Sequence, residues 1–167
     1  MLIDKMVKAI NDQINAEMYS AYFYLSMNSY FESISLAGFS HWMRFQAQEE
    51  MLHAMKLYDY VNERGGQVIL DAIAKHPAQW NSPQEVFDDV LAHEKKVTGL
   101  INDLMNLAFD ERDHASTGFL QWFISEQVEE EDNVGTVVDK LKLIGSDSSG
   151  LFVLDQELGK RLPPTVE

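Results

Sequence analysis

Apolar residues recur at steps of three and four from Asp4 to about Glu32, through Ile10, Ile14, Ala21, Tyr24 and Phe31. The same spacing returns from about Leu36 to Arg64, through Phe39, Met43, Leu57 and Tyr60. This periodicity predicts two long amphipathic helices separated by a break at Ser33-Ile34-Ser35. Asp4 is the expected N-cap of the first, and Gly65-Gly66 the stop of the second. Residues 65–82 carry no period, yet a connection of that length has a use. At about 3.3 Å per residue it reaches about 60 Å, whereas a helix of the second one's length spans only about 42 Å. It can therefore run along a bundle and let the third helix point the same way as the second.

The third helix has a strong start, with Ser82 as N-cap, Pro83 in the first position and Glu85 completing a capping box. Its stripe is Phe87, Val90, Val97, Ile101 and Leu104, broken by Asp110-Glu111-Arg112-Asp113. A fourth stripe runs through Phe119, Phe123, Val134, Val137 and Leu141 to a stop near Gly145. Ser146 to Gly150 reads as a flexible linker. Leu151, Phe152, Leu154, Leu158 and Leu162 read as a short fifth helix ended by Pro163-Pro164. The expected architecture is all-α, a four-helix bundle with one long crossover and a short C-terminal helix, in a single domain over residues 1–167.

Each long stripe is interrupted once by polar residues near its middle: Glu17 in the first, Glu50 and His53 in the second, Glu94 in the third, Gln127 and Glu130 in the fourth. Glu50 and His53, three apart, share one helical face. A carboxylate in an apolar stripe is unfavourable by several kcal/mol unless a cation compensates it. Packing four helices side by side brings the midpoints together, so four carboxylates and one imidazole converge. Two divalent cations would balance them, and without metal some of the carboxyls would hold their protons. Oxygen donors with one imidazole suit iron(II) or manganese, with zinc as a competitor. Glu50 is the natural bridge between two metals, which together could supply two electrons to an oxidant.

Composition narrows the partners. Twenty-seven acidic against 13 basic side chains give a net charge of −14, which disfavours nucleic acid and anionic membranes and favours cations. The chain has no cysteine, so zinc ribbons, iron–sulfur clusters and disulfides are excluded. Met1-Leu2-Ile3-Asp4 lacks the features of a signal peptide, and no run approaches the roughly 18 apolar residues of a membrane span, so a cytoplasmic protein is expected.

The helix lengths, the crossover, Glu17, Glu50-x-x-His53, Glu94 and Gln127-x-x-Glu130 together resemble the ferritins, specifically the haem-free prokaryotic branch, whose bundles carry this kind of ligand set. The resemblance covers nearly the whole chain. It implies a first iron held by Glu17, Glu50 and His53 and a second held by Glu50, Glu94 and Glu130 with Gln127 beside it. It also implies a third iron position at Glu49, Glu126, Glu129 and Glu130, and a tyrosine, Tyr24, that lies against the centre and can supply an electron. The implied activity is ferroxidase: iron(II) oxidised by dioxygen or hydrogen peroxide, with the iron(III) mineral stored inside a hollow homo-oligomeric shell of 24 subunits. The fifth helix would pack near a symmetry axis of that shell. One departure stands out. Bacterioferritins carry Glu-x-x-His twice, but the second motif here is Gln127-x-x-Glu130, so the second iron lacks an imidazole and is held more weakly.

Blander roles compete at several positions. Glu126, Glu129, Glu131 and Asp132 could be a solvated face, Tyr24 a core tyrosine bonded to a carboxylate, and Phe119, Trp122 and Phe123 simple packing. Met51, which follows Glu50, stands where bacterioferritins place a haem-ligating methionine. It would face a neighbouring subunit, and the missing second Glu-x-x-His points away from haem. Asp110, Glu111 and Asp113 would line a pore or merely be solvated. A di-iron peroxidase or oxidase without storage, a haem-binding bacterioferritin-like protein and a metal-free helical scaffold are the alternative readings.

Overall fold

The structure is a computed structural model that describes residues 1–165. It contains helices α1 (Asp4–Ser33), α2 (Ala37–Glu63), α3 (Pro83–Asp110), α4 (His114–Ile144) and α5 (Ser148–Leu158). The α1–α2 and α3–α4 pairs form the bundle, and α5 lies across the start of α2. Every residue named above in the first three stripes is buried; in the fourth, only Phe119 is partly exposed.

Turn chemistry sets the helix ends. Gly65, with φ 75°, closes α2: the Gly66 amide donates to Val61 O (2.9 Å) and the Gly65 amide to Asn62 O (3.0 Å), the paired bonds of a Schellman turn. The same pairs end α1 at Ser35 (φ 61°) and α3 at Arg112 (φ 55°), where non-glycine residues take the left-handed conformation. The crossover then runs along α1. Asn11 brackets it, its Nδ2 donating to Gln67 O (3.0 Å) and its Oδ1 accepting from the Ile69 amide (2.8 Å), and Ser26 Oγ donates to Pro77 O (2.6 Å). Contacts that advance together along both segments are those of a chain traversing the bundle.

Four end-of-helix expectations need correction. Ile3, with no side-chain cap bond, is the N-cap of α1, and Asp4 is its first helical residue, where its charge still favours the positive helix end. Ser82 caps α3 as expected (Glu85 N to Oγ, 3.1 Å), but the returning Glu85 carboxylate accepts from the Asn81 amide (2.6 Å). Inside the expected 146–150 linker, Asp147 caps the amides of Ser149 and Gly150 (both 3.1 Å), so α5 begins at Ser148. It also ends at Leu158, with Gly159 as C-cap, so Leu162 lies beyond it.

The α2 N-terminus has no cap of its own. Asp155 of α5 supplies one, its Oδ1 accepting from the Gly38 (2.8 Å) and Phe39 (3.1 Å) amides. Only glycine fits there, because a Cβ on residue 38 would lie 1.7 Å from Asp155 O. The core divides into two apolar clusters, one built on Phe31, Phe39, Phe87 and Leu154, the other on Ile10, Leu57, Ile101 and Leu120. The polar interruptions of the four stripes form a layer between them.

Candidate metal centre

Glu17, Glu50, His53, Glu94 and Glu130, from four different helices, are each between 1 and 3% exposed. Five ionisable groups at that depth require compensation, since charged side chains are almost never fully buried alone. Amides supply part of it. Gln13 Nε2 donates to Glu17 Oε1 (2.7 Å), one turn along α1. Gln46 Nε2 lies between Glu50 Oε1 (3.1 Å) and both oxygens of Glu130 (2.9 Å each). Gln127 Nε2 donates to Glu94 Oε2 (3.3 Å), and the Tyr24 hydroxyl donates to Glu94 Oε1.

Among the described residues, Glu17 Oε2 is a buried oxygen left without a donor. It belongs to a group that burial pushes up from 4.5 to about 8, with the charge of Glu50 adding to the rise and His53 and Gln13 opposing it. Burial, followed by the Glu94 charge, holds Glu50 well above the usual carboxylate range, and burial with Glu50 and Glu94 does the same to Glu130. Glu94 rises from burial against the opposing bonds from Tyr24 and Gln127. Tyr24 is raised by burial and then by Glu94, so its hydroxyl keeps its proton.

Ligand atoms of Glu17, Glu50 and His53 all lie within 4.8 Å of one another, as do those of His53, Glu126 and Glu130. The first set is the trio expected for a first iron. His53 Nδ1 lies 3.4 Å from Glu50 Oε2 and its Nε2 3.8 Å from Glu126 Oε1, so the imidazole joins the inner layer to the outer acids. The trio Glu50, Glu94 and Glu130 is not among the sets that close to that distance in the described residues; the Gln46 amide bonds to both Glu50 and Glu130. Gln127 and Tyr24 stand beside it, on Glu94. Of the outer residues, Glu49, Glu126 and Glu129 line a cleft of about 370 Å³ with His53 and Trp122. Burial raises Glu126, with Glu49 and Glu129 adding and His53 opposing. The Glu49 carboxylate, however, is bonded to the Arg161 guanidinium.

Met51 is 41% exposed on the outer face of α2, in the direction its position implied. In the acidic turn, Asp113 caps α4 and pairs with Arg64 (3.1 Å), and Glu111 pairs with Lys5 (2.8 Å). Three contributors had no assigned role in the sequence. Gln13 and Gln46 each precede a stripe glutamate by four residues, a legible signal because such pairs meet on one helix face. Arg161 gave none.

A buried carboxylate and imidazole layer inside a four-helix bundle is a candidate metal centre. The sequence matches the ferritin-like domain over residues 7–144. It is 45% identical over 161 residues to the bacterial non-heme ferritin of Bacteroides fragilis (96% of this chain, 100% of the relative). It is 40% identical over 161 residues to that of Staphylococcus epidermidis (96% and 97%). The open-pore ferritin of the hyperthermophilic archaeon Archaeoglobus fulgidus superposes with a TM-score of 0.96 at 53% identity, over 97% of this chain and 100% of that one. The chain belongs to the ferritin family, in its prokaryotic non-haem branch, and its function is iron storage.

Proposed function

We propose that the chain is a ferroxidase that oxidises iron(II) within the bundle and stores the product in a shell of 24 subunits in the cytoplasm. The observation that carries this reading is the Glu17, Glu50 and His53 set, closed to 4.8 Å with one buried Glu17 oxygen lacking a donor. Iron(II) is the substrate. Its first position is Glu17, Glu50 and His53. Its second is Glu50, Glu94 and Glu130, reached when the Gln46 amide gives up its place between two of them, with Gln127 beside it. Each iron(II) yields one electron, so a pair reduces hydrogen peroxide to two waters, or dioxygen to hydrogen peroxide, with two protons taken up in either case. Carboxyls that hold protons in the metal-free protein release them to bind the cation. Tyr24, protonated and bonded to Glu94, is read as the donor of one further electron, which with one from a third iron(II) and two protons would reduce the hydrogen peroxide formed from dioxygen to two waters. A third position at Glu49, Glu126, Glu129 and Glu130 communicates with the pair through His53 and Glu130.

The test joins assembly to chemistry. Sedimentation of the protein after iron(II) and air should give a particle of shell size carrying iron far above three ions per subunit. Dimers or monomers that oxidise iron but hold only stoichiometric amounts would favour a di-iron oxidase without storage.

A further inference from the structure

Arg161 follows the C-cap of α5 and returns to the bundle beside the outer acids. Its carbonyl pairs with His41 Nε2 (2.9 Å), and its guanidinium lies over the Trp42 ring (4.6 Å). Nη1 donates to Gln46 Oε1 (2.7 Å), while Nη2 donates to Glu49. The two side chains of the Arg161–Glu49 pair are each 21% exposed. Pro163, Pro164 and Thr165 continue as one wall of the cleft that Glu49, Glu126 and Glu129 line.

Two consequences follow from this placement. A guanidinium stays charged at any working pH, so a fixed positive charge sits on one of the four carboxylates of the third iron position. Its bond to Gln46 Oε1 also orients that amide, leaving the NH₂ for Glu50 and Glu130; the reverse orientation would set an oxygen against both carboxylates. We propose that Arg161 is a built-in counter-ion of the outer cleft, a positioning residue that competes with the third metal ion for Glu49 and thereby sets how tightly that ion is held. The C-terminal segment thus becomes part of the metal centre, and a weakly held third ion is one that can move on to storage. The inference rests on the metal-site reading above.

Calorimetric titration of the assembled, metal-free protein with Zn(II), a redox-inert probe for the same donors, tests it at fixed pH and ionic strength. In R161Q the third ion should bind about tenfold more tightly, the size expected for removing one partly screened charge a few ångströms away, while the first ion, at Glu17, Glu50 and His53, binds as in the wild type. R161K should restore the wild-type third affinity, K160Q, which removes an exposed neighbouring charge, should leave it unchanged, and E49Q/R161Q should lose the gain. A third affinity in R161Q equal to wild type, or weaker binding of all three ions together, would overturn the competition and leave Arg161 a structural contact. Absence of the first two ions from the wild type would instead sink the metal-centre reading, and the proposal with it.

Discussion

Glu50 and Glu49 are adjacent in sequence and carry the same functional group, yet the fold treats them in opposite ways. Glu50 points into the bundle with Glu17, Glu94 and Glu130, each 1–3% exposed, where the side-chain amides of Gln13, Gln46 and Gln127 and the Tyr24 phenol are the donors within reach. The inner acids therefore hold protons, and a divalent ion can replace those protons. Glu49 points into an open cleft with Glu126 and Glu129, where solvent screens the acids and a guanidinium neutralises one of them. Burial, more than residue type, separates the proton-holding inner carboxyls from the solvent-screened, ion-paired outer ones.

The sharpest way to break this comparison is to delete one ligand from each side. Glu50→Ala or His53→Ala should slow initial iron(II) oxidation at least about 100-fold, a loss typical of removing a group that positions the reactants, with helical content unchanged by circular dichroism. Glu129→Ala should change that initial rate only severalfold, and equal losses on both sides would erase the distinction. Within the inner set, Glu17→Ala should cost more first-ion affinity than Glu130→Ala.

Proton linkage comes next. Glu17 has a folded-state value of about 8 against an ordinary 4.5, so between those limits the folded chain holds a proton that the unfolded chain has lost. The metal-free protein should therefore be most stable toward the acid end of that window and lose stability as pH rises through 8, by about 3–5 kcal/mol from this group alone. Thermal melts of Glu17→Gln should show a flatter pH profile, and Zn(II) should restore wild-type stability at pH 8. A metal-free wild type that gains stability from pH 5 to 8 would contradict the buried-proton account.

Gln46 tests the amide contribution. Gln46→Leu removes the donor shared by Glu50 and Glu130 and should destabilise the metal-free protein by about 1–3 kcal/mol in chemical denaturation, with less effect once metal is bound. The smallest effect belongs to α1's end: Ser35→Gly relieves a positive φ and should add about 0.5–1 kcal/mol.

The four stripes were legible because their interruptions stand out: a glutamate among Ile14, Ala21 and Tyr24 has no packing rationale, and one such residue per helix near its middle points to a shared layer. The turns were legible where glycine or proline marks them, as at Gly65 and Pro83. They were missed where the marking side chain sits inside an apparent linker or on a distant helix. Asp147 begins α5 inside a stretch whose serines and glycine read as linker, and Asp155 caps α2 from a helix 116 residues away. Arg161 was invisible for the same reason, because the 112 residues between it and Glu49 carry no periodic trace of the contact.

The central claim is that the buried layer binds iron. An anomalous difference map recorded at the iron edge, from crystals soaked with iron(II) without oxygen, tests it most directly. The account predicts a peak bounded by Glu17, Glu50 and His53 and a second near Glu94 and Glu130, both absent from crystals of Glu50→Ala. Iron confined to the outer cleft, with the inner carboxylates still bonded to Gln13 and Gln46, would contradict it.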